Sequence, residues 1–237
     1  MHLYYTKEIE SDTAVLDSVE SQHCIKVLRM KEGDVLNFVD GVGGMYKALI
    51  VNANYKRTLV KIIKKDKTFR KHNYHLHIAI APTKNMDRYE WFVEKAVEIG
   101  VDTITPILCH YSERKKLRTD RLERIMVSAM KQSIKAHLPT LNPLTNYKDL
   151  VKTTFSGVQK VIAHCEESER HDLIRINPGP SEYLILIGPE GDFHPEEINM
   201  ALKNDFLPVS LGHSRLRTET AGVAVCQIIS DLERLRS

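Results

Sequence analysis

The sequence predicts an α/β protein in two parts: a small β-barrel over residues 1–72, then a parallel sheet clothed in helices over residues 73–237. Three observations carry this prediction. Short apolar runs separated by turn residues fill the first part. Strand-like and helix-like runs alternate in the second, the rhythm of a parallel sheet covered on both faces. Near the carboxyl end, two glycine-bearing segments each follow an apolar run and precede a helix, where an α/β sheet presents its ligand loops.

In the first part the expected strands are Ala14 to Leu16, Val35 to Val39, Tyr46 to Val51 and Thr58 to Ile63. Asp40-Gly41 and Gly43-Gly44 punctuate a hairpin between the second and third, because glycine tolerates the positive φ of tight turns. The basic run Lys64 to Lys71 is expected to lead out of the barrel as an interdomain segment. In the second part the strands are Leu76 to Ala81, Thr103 to Leu108, Lys160 to Ala163, Tyr183 to Ile187 and Leu207 to Leu211. Asp87 and Glu90 suit a capping box for the first helix, which Gly100 ends, with Phe92, Ala96 and Ile99 facing the core. A second helix spans Thr119 to Ala136 and buries Leu122, Ile125, Met126 and Ala129. His194 caps a third helix with Pro195 at its first position and Glu196 and Glu197 at its positive end. The last helix starts near Thr218, with Ala221, Ala224, Val225, Ile228, Leu232 and Leu235 as its buried stripe.

Composition narrows the function classes. At 237 residues and 42% hydrophobic content the chain can bury a sizeable core. It lacks an apolar run long enough to span a membrane and a secretory start, so an intracellular, cytoplasmic protein is expected. Cys24, Cys109, Cys165 and Cys226 are dispersed, with no zinc-finger spacing, which points to reduced, mostly buried thiols and no metal site. Net charge is only +3, but it is segregated: basic residues dominate Lys56 to His75 and Tyr111 to His137, and acidic residues dominate Val161 to Met200. Such segregation suits a polyanion, RNA above all, although a solvated face reads equally well for either basic stretch alone.

The chemistry concentrates in Ile187-Gly188-Pro189-Glu190-Gly191-Asp192-Phe193 and in Leu211-Gly212-His213-Ser214-Arg215-Leu216-Arg217-Thr218-Glu219-Thr220-Ala221. No dinucleotide fingerprint or P-loop is present, so the ligand uses another loop geometry. Glycines 188, 191 and 212 let backbone amides approach it closely. Ile187, Gly188, Pro189, Glu190, Gly191, Leu211, Gly212 and Leu216 are the expected cofactor contacts. The loop His164-Cys165-Glu166-Glu167 would close the pocket from one side, or serve as plain surface.

Together these segments resemble the signature of the SPOUT class of RNA methyltransferases, and within it the RsmE family, which methylates N3 of a uridine in small-subunit 16S ribosomal RNA. The resemblance extends to His23-Cys24-Ile25-Lys26-Val27-Leu28-Arg29, Gly33-Asp34, Ala81-Pro82-Thr83-Lys84, Lys95 to Val101, Gln132-Ser133 and Leu138-Pro139, covering nearly the whole length in order. It implies a PUA-like RNA-binding barrel at the amino end and a carboxyl-terminal domain whose loops thread as a trefoil knot around S-adenosylmethionine, with S-adenosylhomocysteine as by-product. It also implies a homodimer acting on 16S rRNA or the assembled small subunit.

Uridine N3 carries a proton, so transfer to it needs a base or a cation that stabilises the emerging anion. Arg217, Glu219 and Thr220 are the catalytic candidates this implies, with Thr218 as helix cap. For Glu219 and Thr220 an ordinary role at a helix start stands beside the catalytic one. Lys26, Arg29 and Lys84 are the expected RNA contacts, each of them equally readable as a solvated cation. The chain departs from the family pattern with Asp192 where a third glycine is common, Ser214 where the loop's first arginine is usual, and Ile134-Lys135 where Gly-Arg is frequent. Two other classes stay open: a non-catalytic RNA-binding ribosome-assembly factor with the same fold, and an α/β enzyme holding a phosphate ligand at the Gly188 loop.

Overall fold

The structure is a computed structural model that describes residues 2–166, 170–176 and 181–236; Glu167 of the loop singled out above lies outside them. The chain divides into two compact units: 1–71 with 127–138, and 72–126 with 139–237.

The first unit is a six-stranded sheet in the order β1-β4-β5-β6-β3-β2. Its strands are β1 (Leu3–Tyr5), β2 (Glu8–Glu10), β3 (Thr13–Val15), β4 (Val35–Val39), β5 (Met45–Asn52) and β6 (Leu59–Asp66). All pairings are antiparallel except β1 with β4. Register shifts in β5 at Lys47/Ala48 and Ile50/Asn52 act as bulges that bend the sheet around Tyr4, Leu16, Leu36, Phe38, Ile50 and Val60. The β4–β5 hairpin falls at the expected glycines, where Asp40 Oδ1 accepts from Val42 N and Gly44 N, both at 2.8 Å. The basic run does not begin as a linker: Lys64, Lys65 and Asp66 are the end of β6 and pair with Lys47, Tyr46 and Met45. Between β3 and β4 lies α1 (Ser18–Gln22), capped by Asp17, and directly after it a π-helical turn, His23–Val27, that periodicity did not announce.

In the second unit all strand pairs are parallel, in the order β10-β8-β7-β13-β11-β14-β12, with β9 beside β8. The strands are β7 (His75–Ile80), β8 (Thr103–Leu108), β9 (Thr140–Leu141), β10 (Thr145–Asn146), β11 (Gln159–Ala163), β12 (His171–Asp172), β13 (Glu182–Ile187) and β14 (Leu207–Ser210). The helices are α2 (Met86–Ile99), α4 (Tyr147–Lys152), α5 (Pro195–Lys203) and α6 (Thr218–Arg236), with α3 (Thr119–Gln132) divided between the two units after Met126. Central strands with helices on both faces must be apolar throughout, and Ile78, Ile80, Ile162, Leu184 and Leu186 are fully buried. The α/β architecture with a leading β unit is therefore the one the sequence predicts.

Several local expectations need correction. Asn85, not Asp87, caps α2, its side chain accepting from Asp87 N, while Glu90 reaches out to Arg121 at 2.6 Å. Ile99 is half-buried, and the buried face is Tyr89, Phe92, Val93, Ala96 and Val97. The second helix stops at Gln132 because Ile134 turns left-handed at φ 55°. The buried stripe of α6 is Gly222, Val225, Cys226, Ile229 and Glu233; of the expected set only Val225 is buried, and Leu235 is 86% exposed. Gly222 lets α6 approach α2 closely, since a Cβ there would lie 2.5 Å from the Phe92 ring. Glu233 tolerates burial because Tyr183 and Arg236 donate to it at 2.6 and 2.8 Å. His194 caps α5, as expected, and the structure adds a full capping box with Glu197.

Candidate active site

Strand β11 sits between β13 and β14, although both follow it in sequence. The carboxyl ends of three strands, at Ala163, Ile187 and Ser210, are thus neighbours, and the segments leaving them converge. Two adjoining clefts open there and share Ala163, Cys165, Asp192 and Leu216 as a common wall. The smaller, about 270 Å³, is lined by Ile187, Gly188, Pro189 and Glu190. The larger, about 480 Å³, is lined by His164, Leu211 and Gly212 and falls in the range of small-molecule sites, roughly 300–1,000 Å³. Of the expected cofactor contacts, Gly191 alone lines neither; a Cβ there would lie 3.2 Å from Tyr111, so it packs on that side chain. Gly212 has φ 112° with nothing within 4 Å of a would-be Cβ, a conformation other residues rarely adopt.

Side chains tie the three segments together. Asp192 adopts φ 65°; its Oδ2 accepts from Cys165 N at 2.7 Å and its Oδ1 from Phe193 N at 2.8 Å, which locks the segment after β11 to the one after β13. Glu190 Oε1 accepts from Lys84 N at 2.9 Å and holds the turn before α2. Thr218 is the first residue of α6 rather than its cap: its buried hydroxyl donates to Gly188 O at 3.1 Å, while Arg217 O accepts from Ala221 N.

His164 is 5% exposed, and among the described residues neither ring nitrogen has a hydrogen-bond partner. Burial pushes its imidazole below the ordinary histidine range, so it is neutral at pH 7 and can offer one N–H and one lone pair to a group in the larger cleft. A buried imidazole with no partner is costly, and a bound polar ligand would relieve that cost.

A further cleft, about 630 Å³, opens on the other side of Leu216 and Arg217. It receives all three catalytic candidates, Arg217, Glu219 and Thr220, together with Arg88 and Trp91 of α2, which sequence reasoning passed over. Arg217 and Thr220 are exposed, whereas Glu219 is 6% exposed. Glu219 Oε1 lies 3.8 Å from Arg88 Nε, and its Oε2 is buried with no hydrogen-bond partner among the described residues. The available signal was the chain's single tryptophan on the polar side of an amphipathic helix, 44% exposed.

The expected RNA contacts lie apart from these clefts' linings. Lys26 stacks its ammonium over the Tyr55 ring at 3.8 Å, and Arg29 is exposed at φ 56°, both in the first unit. Lys84 pairs with Glu113 at 2.8 Å on the surface of the second unit. The cysteines are thiols outside any disulfide, with Cys24, Cys109 and Cys226 buried and Cys165 exposed. Among the described residues no group of three or more His, Cys, Asp or Glu is placed to hold a metal ion, and no helix is long and apolar enough to cross a membrane.

Comparison with known proteins shows the family. Residues 70–230 match the model of the RNA methyltransferase domain, and residues 16–63 that of the RNA methyltransferase PUA domain. The ribosomal RNA small subunit methyltransferase E of Mesomycoplasma hyopneumoniae is 30% identical over 228 residues, covering 94% of this chain and 96% of its own. The chain belongs to the ribosomal RNA small subunit methyltransferase E family. A probable rRNA-methyltransferase from Porphyromonas gingivalis superposes with a TM-score of 0.93 at 40% identity, covering both chains fully. The family member of Neisseria gonorrhoeae, crystallised bound to S-adenosyl methionine, superposes with a TM-score of 0.86 at 25% identity over 98% of each chain. Against the family pattern, the two glycine departures are physically informative. Asp192 and Ile134 both keep positive φ, so the chain retains a glycine-like backbone without glycine. Aspartate tolerates that conformation better than a β-branched isoleucine, and at 192 its two hydrogen bonds offset the strain.

Proposed function

We propose that this chain uses S-adenosylmethionine to methylate N3 of an unpaired uridine in small-subunit 16S rRNA. The observation that carries the reading is that the smaller cleft at the strand ends and the arginine-lined cleft beside α2 share one wall, Arg215, Leu216 and Arg217. A donor on one side and an acceptor on the other would meet across it, and alignment with exclusion of water is most of what methyl transfer requires.

The residues present fit the cofactor. Ile187, Gly188, Pro189, Glu190, Leu211, Gly212 and Leu216 would hold it, and the orphaned imidazole of His164 would gain a partner from its polar groups. When bound, it supplies an electrophilic methyl on a sulfonium whose bonding pair stays on sulfur, so that the by-product leaves neutral. Arg217 is positioned to bind a uracil carbonyl or phosphate and stabilise the anion as the N3 proton departs. Glu219 is the acceptor for that proton, and Thr220 at the same cleft orients the substrate. N3 lies on the Watson–Crick edge, so the base must leave its stack first. Lys26 with Tyr55 and Arg29 of the first unit, and Lys84 of the second, would contact RNA, residues 1–72 acting as the RNA-binding domain and 73–237 as the knotted catalytic domain. The same reading includes a cytoplasmic homodimer, with the half-buried Ala221, Ala224, Ile228 and Leu232 and exposed Leu235 along its shared face.

Incubation with labelled methyl donor and methyl-deficient small subunits, followed by nucleoside mass analysis, tests the function. The expected product is 3-methyluridine, lost on Arg217→Ala. No methylated nucleoside, or methylation of another base atom, would refute it.

A further inference from the structure

The cleft between the first turns of α2 and α6 contains groups that methyl-donor binding does not use. Glu219 is only 6% exposed, yet Oε2 has no hydrogen-bond partner among the described residues. Leaving a carboxylate oxygen unsatisfied away from water costs at least about 1–3 kcal/mol, so a site that retains one is built for a donor that arrives from outside. Arg88 stands beside it at 3.8 Å, and Arg217 lines the same cleft. Three residues along α2 from Arg88, Trp91 presents an exposed indole to this space while Phe92 and Val93 turn into the core.

We propose that this cleft is the seat of the extruded target base, in which Trp91 is the stacking platform and Glu219, flanked by Arg88 and Arg217, reads a uracil edge. The assignment rests on the methyltransferase reading and adds to it the residues that choose the base. A uracil presents acceptor, donor, acceptor along O4, N3–H and O2. The Glu219 carboxylate with Arg88 beside it and Arg217 lining the same cleft can offer the complementary donor, acceptor, donor. Cytosine has a lone pair at N3 and would set it against the carboxylate, so the pocket rejects cytidine through an unpaired charge rather than through shape. The same contact moves the proton: N3–H passes its proton to the Glu219 carboxylate, the pair left on N3 bonds to the donor's methyl carbon as that carbon's bond to sulfur breaks with its pair left on sulfur, and the carboxylic acid later returns the proton to water. Stacking on an aromatic ring holds the base at little conformational cost, and each such stack is worth about 1–3 kcal/mol.

Trp91 is the only tryptophan of the chain, so its intrinsic fluorescence reports on this cleft directly. In the intact protein with S-adenosylhomocysteine present, hexauridylate should quench the emission, and a ribose-phosphate hexamer without bases should not. Hexacytidylate should bind at least about tenfold more weakly, a preference that Glu219→Gln abolishes. Trp91→Ala should raise the KM for small-subunit RNA roughly 5- to 150-fold, the stacking energy above expressed as a ratio. Trp91→Phe should recover most of that, and calorimetric affinity for S-adenosylhomocysteine should be unchanged in both variants. Equal quenching by the abasic hexamer, no quenching by hexauridylate, or an unaltered KM in Trp91→Ala would overturn the assignment. Quenching in a wild-type chain that transfers no methyl would sink the activity and keep the base seat; transfer without quenching would sink the base seat alone.

Discussion

Asp192 offers a quantitative test because it holds a left-handed backbone, the conformation glycine adopts most readily, and still ties two segments together. Its carboxylate accepts from Cys165 N at 2.7 Å and Phe193 N at 2.8 Å. At a half-buried site each such bond contributes about 0.5–1.5 kcal/mol, so the pair is worth about 2 kcal/mol. Asp192→Ala loses both bonds and keeps a side chain at φ 65°, which adds up to about 1 kcal/mol of strain, for a total near 2–3 kcal/mol. Asp192→Gly loses the bonds but relieves the backbone, for a net loss near 1–2 kcal/mol. For a chain of this size 1 kcal/mol corresponds to about 2–4 °C, so the alanine variant should melt roughly 5–10 °C below wild type and the glycine variant between the two. Cys165 lines both strand-end clefts. Freeing it should therefore weaken S-adenosylhomocysteine about tenfold in both variants, the equivalent of 1.4 kcal/mol of loop ordering. Calorimetry and thermal melts measure both quantities. If the glycine variant melts below the alanine variant, or if both bind like wild type, the account of Asp192 as a clamp on a left-handed residue is wrong.

Other perturbations probe other links. Gly222→Val places a branched side chain where even a Cβ would lie 2.5 Å from Phe92 and 3.0 Å from Ile80, and overpacking of that kind should cost about 2–3 kcal/mol in urea denaturation; a neutral result would mean α2 and α6 are not held at this distance. His77, bonded to Thr105 Oγ1 at 2.7 Å, has its pKa pushed down to about 4 by burial first and by His75 second. The folded value lies below the unfolded one, so the unfolded chain binds the proton more readily; stability is full above about pH 6.5 and falls by up to about 3 kcal/mol as pH drops to 4. His77→Gln should flatten that dependence, and an unchanged pH profile would count against it. Gly212→Trp, at φ 112° and lining the larger cleft, should abolish S-adenosylhomocysteine binding without unfolding the protein, as circular dichroism alongside calorimetry can show.

Much of this protein is legible in its sequence because the signals are local. Runs of apolar residues mark β7, β8, β11 and β13 to within a residue at either end, since a strand buried on both faces has no alternative composition. His194-Pro195 with Glu197 marks the start of α5, because capping uses side chains within three residues of one another. The two glycine-bearing loops identify the candidate site for the same reason. What escaped was set by contacts distant in sequence. β1 and β2 are three residues each, too short to show alternation, and exist only through pairing with β4 and β3. The buried face of α6 could not be read from hydropathy: it includes Gly222, selected by the Phe92 ring, and Glu233, made tolerable by Tyr183 and Arg236.

The sequence by itself determined the fold class, the family and the two glycine-bearing loops that line much of the strand-end clefts, because backbone geometry and close ligand approach restrict which residues can stand at a turn. Only the tertiary structure decided that β11 lies between β13 and β14, so that the segment bearing His164 and Cys165 becomes a wall of the site, and that Arg88 and Trp91 face Glu219 across a cleft. Strand order and helix juxtaposition are choices among long-range pairings of nearly equivalent apolar surfaces. Nothing in a local stretch of chain encodes which pairing wins.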